Sequence, residues 1–280
     1  MPVQEPRRLA LGEQLFADRR LSHSDTHSCS SCHDIGTNGA SAKARDVTPE
    51  GRLLALNTPT VFNASLSFRL NWEGNIRSLE EGIERSLNNP AIMASSLDEA
   101  VNKLRADPDI VKQFREAYGQ EPNAAATLDA IATYERSLVT PGSRFDRWLA
   151  GEAGAITSEE LSGYQLFKSL GCITCHQGVN VGGNMFQRHG IFHPLGSTEP
   201  VMLRVPSLRN VATTAPYFHD GSAATLSDAV KSMGVAQLDR VLSDQQISTI
   251  VAFLNTLTGT YRGRLVRPPT AASRAGSMRP

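Results

Sequence analysis

The chain has 280 residues, with 28 basic and 28 acidic side chains and therefore no formal net charge. That balance argues against a nucleic-acid partner or an anionic membrane surface, because both attract basic proteins. No apolar run approaches the roughly 18–20 residues that cross a bilayer, and the length suits two domains that each bury a core.

The first predicted element is a short helix that ends in G-E-Q-L-F at residues 12–16. The same pattern returns as G-Y-Q-L-F at residues 163–167. Each copy precedes a cysteine motif, and we expect its Leu-Phe pair to be the buried end of the helix. The repeat therefore indicates two related units in tandem.

The two cysteine motifs read C-S-S-C-H at residues 29–33 and C-I-T-C-H at residues 172–176, and together they hold all four cysteines. C-x-x-C-H is the attachment pattern of c-type haem, because two thiols reach one porphyrin edge and the histidine lies under the iron. Zinc knuckles or thioredoxin-type dithiols are the alternatives, and neither gives a reason for both histidines. We therefore predict two covalent haems, attached through Cys29, Cys32 and His33 and through Cys172, Cys175 and His176.

An apolar helical stripe follows in each half, because Ile131, Tyr134 and Leu138 share the spacing i, i+3, i+7 with Ile250, Phe253 and Leu257. A helix with such a stripe, packed across the first helix, forms the core of a small c-type cytochrome. We predict a mainly α-helical fold of two tandem cytochrome-like domains with long loops and few or no strands. The domains are expected at residues 1–140 and 141–262, joined through the glycine-containing stretch 140–154 and followed by a tail at 263–280.

The sixth ligand of each iron decides between electron transfer and chemistry at the iron. After the second motif, Met233 is a candidate ligand, with Met185 and Met202 as competitors. For the first iron there is no histidine between His33 and His176, and Met93 is the one methionine between His33 and Cys172. The first iron is therefore open, bound by Met93 or bound by a non-standard group. The two histidines before the first motif, His23 and His27, are expected to face solvent or a haem edge.

Three longer stretches resemble the bacterial dihaem cytochrome c peroxidases. They are T-P-T-V-F-N-A-S-L-S-F-R-L-N-W-E-G at 58–74, V-P-S-L-R-N-V-A-T-T-A-P-Y-F-H-D-G at 205–221 and D-A-V-K-S-M-G-V-A-Q-L at 228–238. The resemblance runs from about Leu9 to Gly259, and the MauG-like dihaem oxidases share the same scaffold.

The resemblance implies roles for single residues. His33 and His176 match the proximal ligands, and Met233 matches the axial methionine of the high-potential haem, where MauG-like enzymes have a tyrosine. Trp72 matches the tryptophan between the haems, which relays electrons or packs. A calcium site at the domain interface is implied for Asn57 with the backbone carbonyls of Thr214 and Pro216, since calcium prefers hard oxygen ligands.

The chain also departs from the family pattern. The distal Gln and Glu that handle peroxide correspond to Gly82 and Ile92, and the position of the reductive histidine ligand falls near Pro49. General acid–base help is worth about 10²–10⁴ in rate, and isoleucine cannot move protons. Five nearby polar residues are candidates to replace the distal Gln and Glu in proton transfer. They are Glu80, Glu81, Glu84, Asn88 and Asn89.

Three functions follow from the resemblance. The first is a cytochrome c peroxidase-like enzyme that reacts with hydrogen peroxide at the N-terminal haem and takes electrons through the C-terminal His/Met haem. The alternatives are a MauG-like oxidase of a partner protein and a non-catalytic electron-transfer or haem-sensor protein. The expected partners are a small donor protein, either a cytochrome c or a cupredoxin, or an oxidised partner protein; a homodimer is left open.

Haem attachment of this type takes place on the exported side of a membrane, so we expect a periplasmic protein. The first residues, M-P-V-Q-E-P-R-R-L-A-L-G, lack the apolar stretch of a secretory signal. The expectation is therefore that a signal peptide has been removed or is absent from this chain.

Overall fold

The computed structural model describes residues 5–48, 51–195 and 202–269. Its helices are α1 (Pro6–Phe16), α2 (Leu79–Asn88), α3 (Leu97–Arg105), α4 (Pro108–Tyr118), α5 (Ala124–Ser137), α6 (Arg144–Leu149), α7 (Ser158–Ser169), α8 (Leu226–Leu238) and α9 (Asp244–Asn255). Two antiparallel pairs of short strands complete the described part, β1 (Phe186–Arg188) with β2 (Met202–Arg204) and β3 (Thr260–Tyr261) with β4 (Arg264–Leu265). The mainly helical prediction with few strands is confirmed. Pro49 and residues 270–280 of the expected tail lie outside the described residues.

Helix starts follow from side chains that cap free backbone N–H groups. Thr157 before α7 accepts from the Glu160 N–H, while the Glu160 carboxylate accepts from the Thr157 N–H. Ser243 and Gln246 form the same reciprocal box before α9. The two helices that cross in the second half therefore begin at residues that the local sequence defines.

The same helix crossing occurs in both halves, α1 on α5 and α7 on α9. A Cβ added at Gly12 would lie 1.9 Å from the Ala130 carbonyl oxygen, and one at Gly163 would lie 2.1 Å from that of Thr249. The glycine in each G-x-Q-L-F copy therefore lets two backbones touch. The repeated crossing confirms two tandem cytochrome-like domains.

Replacing Gly163 with alanine is expected to destabilise the protein, because the new methyl group would overlap the α9 backbone. Overpacking of this kind costs about 1–3 kcal/mol. The measurement is the urea midpoint of the holoprotein. The matched control is Gly154→Ala, since a Cβ there meets nothing within 4 Å; equal midpoints for the two variants would contradict the close crossing.

The predicted stripes are buried in two separate cores. Leu138 and Leu257 lie just beyond the ends of α5 and α9, yet both are buried. The stretch 140–154, expected as a linker, contains α6, and its Phe145 packs on Phe253 with ring centroids 5.2 Å apart. This segment is therefore part of the second core as well as a connection.

The hairpin of β3 and β4 returns to the first half of the chain. Tyr261 packs on Phe62 with ring centroids 5.1 Å apart, and Val266 is buried in the first core. Arg262 donates through both terminal nitrogens to the carboxylate of Glu13 at 2.8 and 2.6 Å. Val266, which the sequence assigned to the tail, thus packs in the core of the N-terminal half.

A second repeat forms the contact between the halves, in which residues 57–76 align without gaps with 204–223. Asn63 and Asn210 share a left-handed conformation with φ 60° and ψ 12° and precede matching 3-10 turns. Both donate a side-chain N–H to the hydroxyl of Thr140, at 2.8 and 3.0 Å. The two copies of the repeat thus meet at Thr140 through matching asparagine hydrogen bonds.

Candidate functional site

A cavity of about 970 Å³ extends between the two cysteine motifs. Its wall includes all four cysteines and both motif histidines and is largely apolar. The volume lies at the upper end of the ~300–1,000 Å³ found for small-molecule and cofactor sites. An apolar space that reaches both C-x-x-C-H motifs fits the two porphyrins that these motifs imply.

The motif cysteines occupy short 3-10 turns and are not paired in disulfides. Burial raises the pKa of the Cys29 and Cys32 thiols to about 12 and that of Cys172 to about 11. Reactive dithiols need lowered pKa values. Within the described residues, no group of three or more His, Cys, Asp and Glu side chains is arranged to bind a metal ion. Structural zinc needs four ligands. Both alternatives to haem attachment therefore lose support.

Both motif histidines are half-buried on the cavity wall, in a form that suits an iron ligand. His33 donates its Nδ1–H to the Gly39 carbonyl at 3.2 Å, which leaves Nε2 unprotonated. Burial lowers the pKa of His33 and brings that of His176 to about 4, while the nearby carbonyls of Val181 and Pro206 oppose the His176 shift. The Nδ1 atom of His176 has no partner of hydrogen-bond geometry in the described part of the chain. Both imidazoles are therefore neutral, as ligation requires.

The candidate sixth ligands occupy different places. Met233 on α8 lines the cavity, whereas Met185 and Met202 do not, and Met202 on β2 is 48% exposed. Met93 lines the cavity but is packed into the first core. Among the three candidate methionines Met185, Met202 and Met233, Met233 is thus the one placed at the cavity.

The two histidines that precede the first motif lie differently. His23 is exposed, and its ring nitrogen pairs with Glu99 at 2.9 Å. His27 lines the cavity and contacts the Thr26 hydroxyl at 2.7 Å. His27 therefore lies on the cavity wall, while His23 faces solvent.

The positions of the family's distal Gln and Glu, Gly82 and Ile92, both line the cavity. The suggested substitutes are mostly engaged elsewhere. Glu80 forms an ion pair with Arg136, and the Glu81 carboxylate pairs with Arg85 at 2.8 Å.

Of the other three suggested substitutes, Glu84 and Asn88 are exposed. Asn89 lines the cavity, but its side-chain oxygen accepts the Ala91 N–H at 2.8 Å. None of the five therefore presents a free carboxylate to this wall.

Glu135 on α5 is a carboxylate that the sequence analysis missed. It lines the cavity, and no hydrogen bond to its carboxylate occurs within the described ranges. Burial raises the pKa of Glu135 to about 8, assisted by the charge of Glu80 and opposed by Arg136. A signal was present, since Glu135 follows Ile131 by one helical turn and so shares the apolar face.

Glu135 is expected to make stability depend on pH. Because its folded pKa lies above the unfolded value, its contribution is present below the unfolded pKa near 4.5 and is lost as pH rises towards 8. Between pH 5 and 8 the holoprotein should therefore lose up to about 1.4 kcal/mol per pH unit relative to Glu135→Gln. Urea titrations across this range measure it, with exposed Glu84→Gln as control. Parallel pH profiles for the wild type and Glu135→Gln would refute the buried carboxyl.

Trp72 lies at the contact between the halves and lines the cavity. Its Nε1–H donates to the Asn57 carbonyl at 2.7 Å, and its ring centroid lies 6.5 Å from that of His219 in an edge-to-face arrangement. Trp72 and His219 occupy equivalent positions in the repeat 57–76/204–223. The structure therefore fixes an aromatic ring beside the space that both haem sites share.

The residues of the implied calcium site also share this cavity wall. Asn57, Thr214 and Pro216 all line it. The Asn57 amide donates to the carbonyls of Lys43 and Ala44, each at 3.1 Å, and is thereby fixed in place. An amide oxygen and two backbone carbonyls are hard donors of the kind that calcium prefers.

Two crossed helix pairs, each with a C-x-x-C-H histidine on the wall of one cavity, define a c-type cytochrome with two haem sites. Residues 6–154 match the family model of di-haem cytochrome c peroxidase, and residues 161–258 match that of cytochrome c. The chain belongs to the di-haem cytochrome c peroxidase family. It is a peroxidase-like oxidoreductase with two c-type haems.

Three relatives illustrate the range of the family. Cytochrome c551 peroxidase of Nitrosomonas europaea is 39% identical over 89% of this chain and 79% of its own length. Cytochrome c peroxidase Ccp of Escherichia coli is 38% identical over 92% of this chain, which spans 59% of that protein. The crystal structure of a MauG-like protein associated with microbial copper homeostasis is 26% identical with a TM-score of 0.81, covering 92% of this chain and 91% of its own.

Proposed function

We propose that the chain reduces hydrogen peroxide at the haem of Cys29, Cys32 and His33. Electrons enter through the haem of Cys172, Cys175 and His176, with Met233 as its second axial ligand. One peroxide, two protons and two electrons give two waters, and the electrons come from a small donor protein. When bound, the haems carry the electrons, and the iron of the first haem is the site at which peroxide reacts.

The observation that carries this assignment is the asymmetry of the cavity wall. Around the second site, α8 brings a thioether to the wall through Met233. Around the first, Gly82 and Ile92 offer no ligand atom, and Met93 is packed into the core. This difference supports a second iron that is closed to small molecules and a first iron that is accessible to them.

Trp72 is proposed to connect the two sites. The indole is held by the Asn57 carbonyl, and the Arg204 N–H donates to the Trp72 carbonyl at 2.7 Å. Such a fixed ring between two haems can relay electrons without moving. A calcium ion held by Asn57, Thr214 and Pro216 would stiffen the same contact, since its ligands come from both halves.

The compartment and the electron donor that we propose are those expected from the sequence. We infer a periplasmic protein, because thioether attachment of haem belongs to that compartment, with a cytochrome c or a cupredoxin as electron donor. Within the described residues, no helix combines the length and the apolar character that a membrane span requires. The domain division at residue 140 is supported by the packing of Phe145 into the second core.

The assignment is tested by counting haems and observing them separately. A pyridine haemochrome assay should give two haems, and Cys172→Ser should remove only the second. EPR of the oxidised protein should show one haem open or weakly ligated and one with His/Met ligation. Peroxide added in a stopped-flow instrument should change the spectrum of the first haem. A first haem that is low-spin and bound by Met93 would favour the electron-transfer function instead.

A second candidate, an oxidase of a partner protein, is favoured by residues 34–171, which contain no histidine that could close the first iron. The family resemblance implies that MauG-like oxidases also keep this iron open. With excess electron donor, a peroxidase consumes peroxide catalytically, whereas an oxidase of this kind turns over only when its protein substrate is present. Steady-state peroxide consumption with reduced cytochrome c separates the two.

A further inference from the structure

Arg204, at the end of β2, is a buried cation without a carboxylate partner in the described part of the chain. It is 9% exposed, and its one side-chain hydrogen bond runs from Nε to the Asn71 carbonyl at 2.9 Å. Burial lowers its pKa to about 10. Five residues later on the same loop, Arg209 donates through both terminal nitrogens to Asp146, each at 2.9 Å. The two terminal nitrogens of Arg204 therefore have no carboxylate partner among the described residues.

Arg204 forms part of the cavity wall. It precedes by two residues Pro206, whose carbonyl lies near the His176 ring. Its backbone N–H donates to the Trp72 carbonyl at 2.7 Å. Arg204 thus connects the wall beside the second haem site to the turn that carries Trp72.

Burying a guanidinium costs desolvation free energy, which is compensated only when an anion lies near it. A haem carries two propionate carboxylates on the edge opposite its thioether-forming vinyl groups. A haem held by Cys172 and Cys175 directs that edge away from its motif. A carboxylate and the two terminal nitrogens of an arginine form two parallel hydrogen bonds.

We propose that Arg204 binds a propionate of the second haem and thereby ties that haem to the Trp72 turn. The inference rests on the proposed function only for the identity of the second haem. The Nε–H of Arg204 donates to the Asn71 carbonyl, and its backbone N–H donates to the Trp72 carbonyl. The two terminal nitrogens bind the propionate. The equivalent residue in the first half is the uncharged Asn57, so this position provides a cation to one haem alone.

The test is the reduction potential of the second haem in Arg204→Gln, followed by spectroelectrochemistry at its Met-ligand near-infrared band. An unneutralised propionate stabilises ferric iron, so the potential should fall. We expect at least a tenfold change in the ferric-to-ferrous ratio at a fixed applied potential, equivalent to about 59 mV for one electron. The potential of the variant should also become pH-dependent, because the unpaired propionate then titrates.

Two further variants make the result specific. Arg209→Gln removes an arginine of the same loop that Asp146 already neutralises, and it should leave the potential unchanged. Arg204→Lys keeps the charge, so its potential should stay near that of the wild type; it also decides the matter if the glutamine variant does not fold. Loss of the second haem alone from Arg204→Gln, seen by pyridine haemochrome, also supports the proposal.

An unchanged second-haem potential in Arg204→Gln would overturn the proposal, as would a shift confined to the first haem. A potential lowered equally by Arg204→Lys and Arg204→Gln would also overturn it, since charge would then not be the cause. None of these measurements uses peroxide. Failure of the wild type to react with peroxide would therefore count against the proposed function and leave this inference standing.

Discussion

The reduction potential of the second haem is expected to fall when Met233 is replaced by histidine. Imidazole stabilises ferric iron better than a thioether does, while the iron stays six-coordinate. Axial ligands set haem potentials over a range of about 0.8 V, so the shift should be on the order of 100 mV or more. The α8 helix holds position 233 on the cavity wall, which lets the new imidazole reach the same space. Potentiometry followed at the haem absorption bands measures the change.

Two leucine variants complete the experiment. Met233→Leu should remove the near-infrared band of methionine ligation and open the second iron to small ligands. Met202→Leu is the control, because Met202 is exposed on β2 and does not line the cavity. The assignment of Met233 is wrong if Met233→Leu keeps both the band and the potential.

Peroxide is expected to react at least tenfold faster with Ile92→Glu than with the wild type. Breaking the O–O bond unevenly requires a proton to move to the leaving oxygen, and a positioned general base contributes about 10²–10⁴ in rate. Ile92 lines the cavity, so a carboxylate there enters the space around the first motif. Gly82→Gln is the natural second step, since a Cβ at Gly82 meets only Ile76 at 3.5 Å and Leu70 at 3.9 Å.

The matched control is Ile92→Gln, which adds polarity and similar size without a proton carrier. Stopped-flow traces of the three proteins with peroxide distinguish the outcomes. If the wild type already reacts fast and Ile92→Glu changes nothing, another group moves the proton, and Glu135 on the same cavity wall is the first residue to replace. If Ile92→Gln matches Ile92→Glu, polarity rather than proton transfer limits the wild type.

The parts of the fold that sequence predicts are those specified by short-range patterns. C-x-x-C-H fixes each attachment site within five residues, and G-x-Q-L-F places a glycine where two helices touch. The stripes through Ile131 and Ile250 then identify the partner helices, because burial follows the helical period. Each of these features can be recognised without knowledge of the rest of the chain.

The remaining features depend on contacts between distant residues. Arg204 could be taken for a surface arginine, because nothing nearby in sequence shows that β2 turns it into the cavity. Glu135 sits one turn after Ile131, but a charge beside an apolar stripe normally marks its solvent edge. Its place on the cavity wall depends on the packing of α5 against α2, which forms only in the tertiary structure. Strands as short as β3 and β4 leave no periodic pattern at all.

The β3–β4 hairpin determines when the first half of the molecule can be completed during synthesis. Tyr261 and Val266 pack in the core around the first haem site, so that core is finished only after the helices of the second domain have been made. A fragment that ends at Gly154 would leave the apolar surface of Phe62 uncovered. The first haem unit precedes the second along the chain, yet its core is the later of the two to be completed.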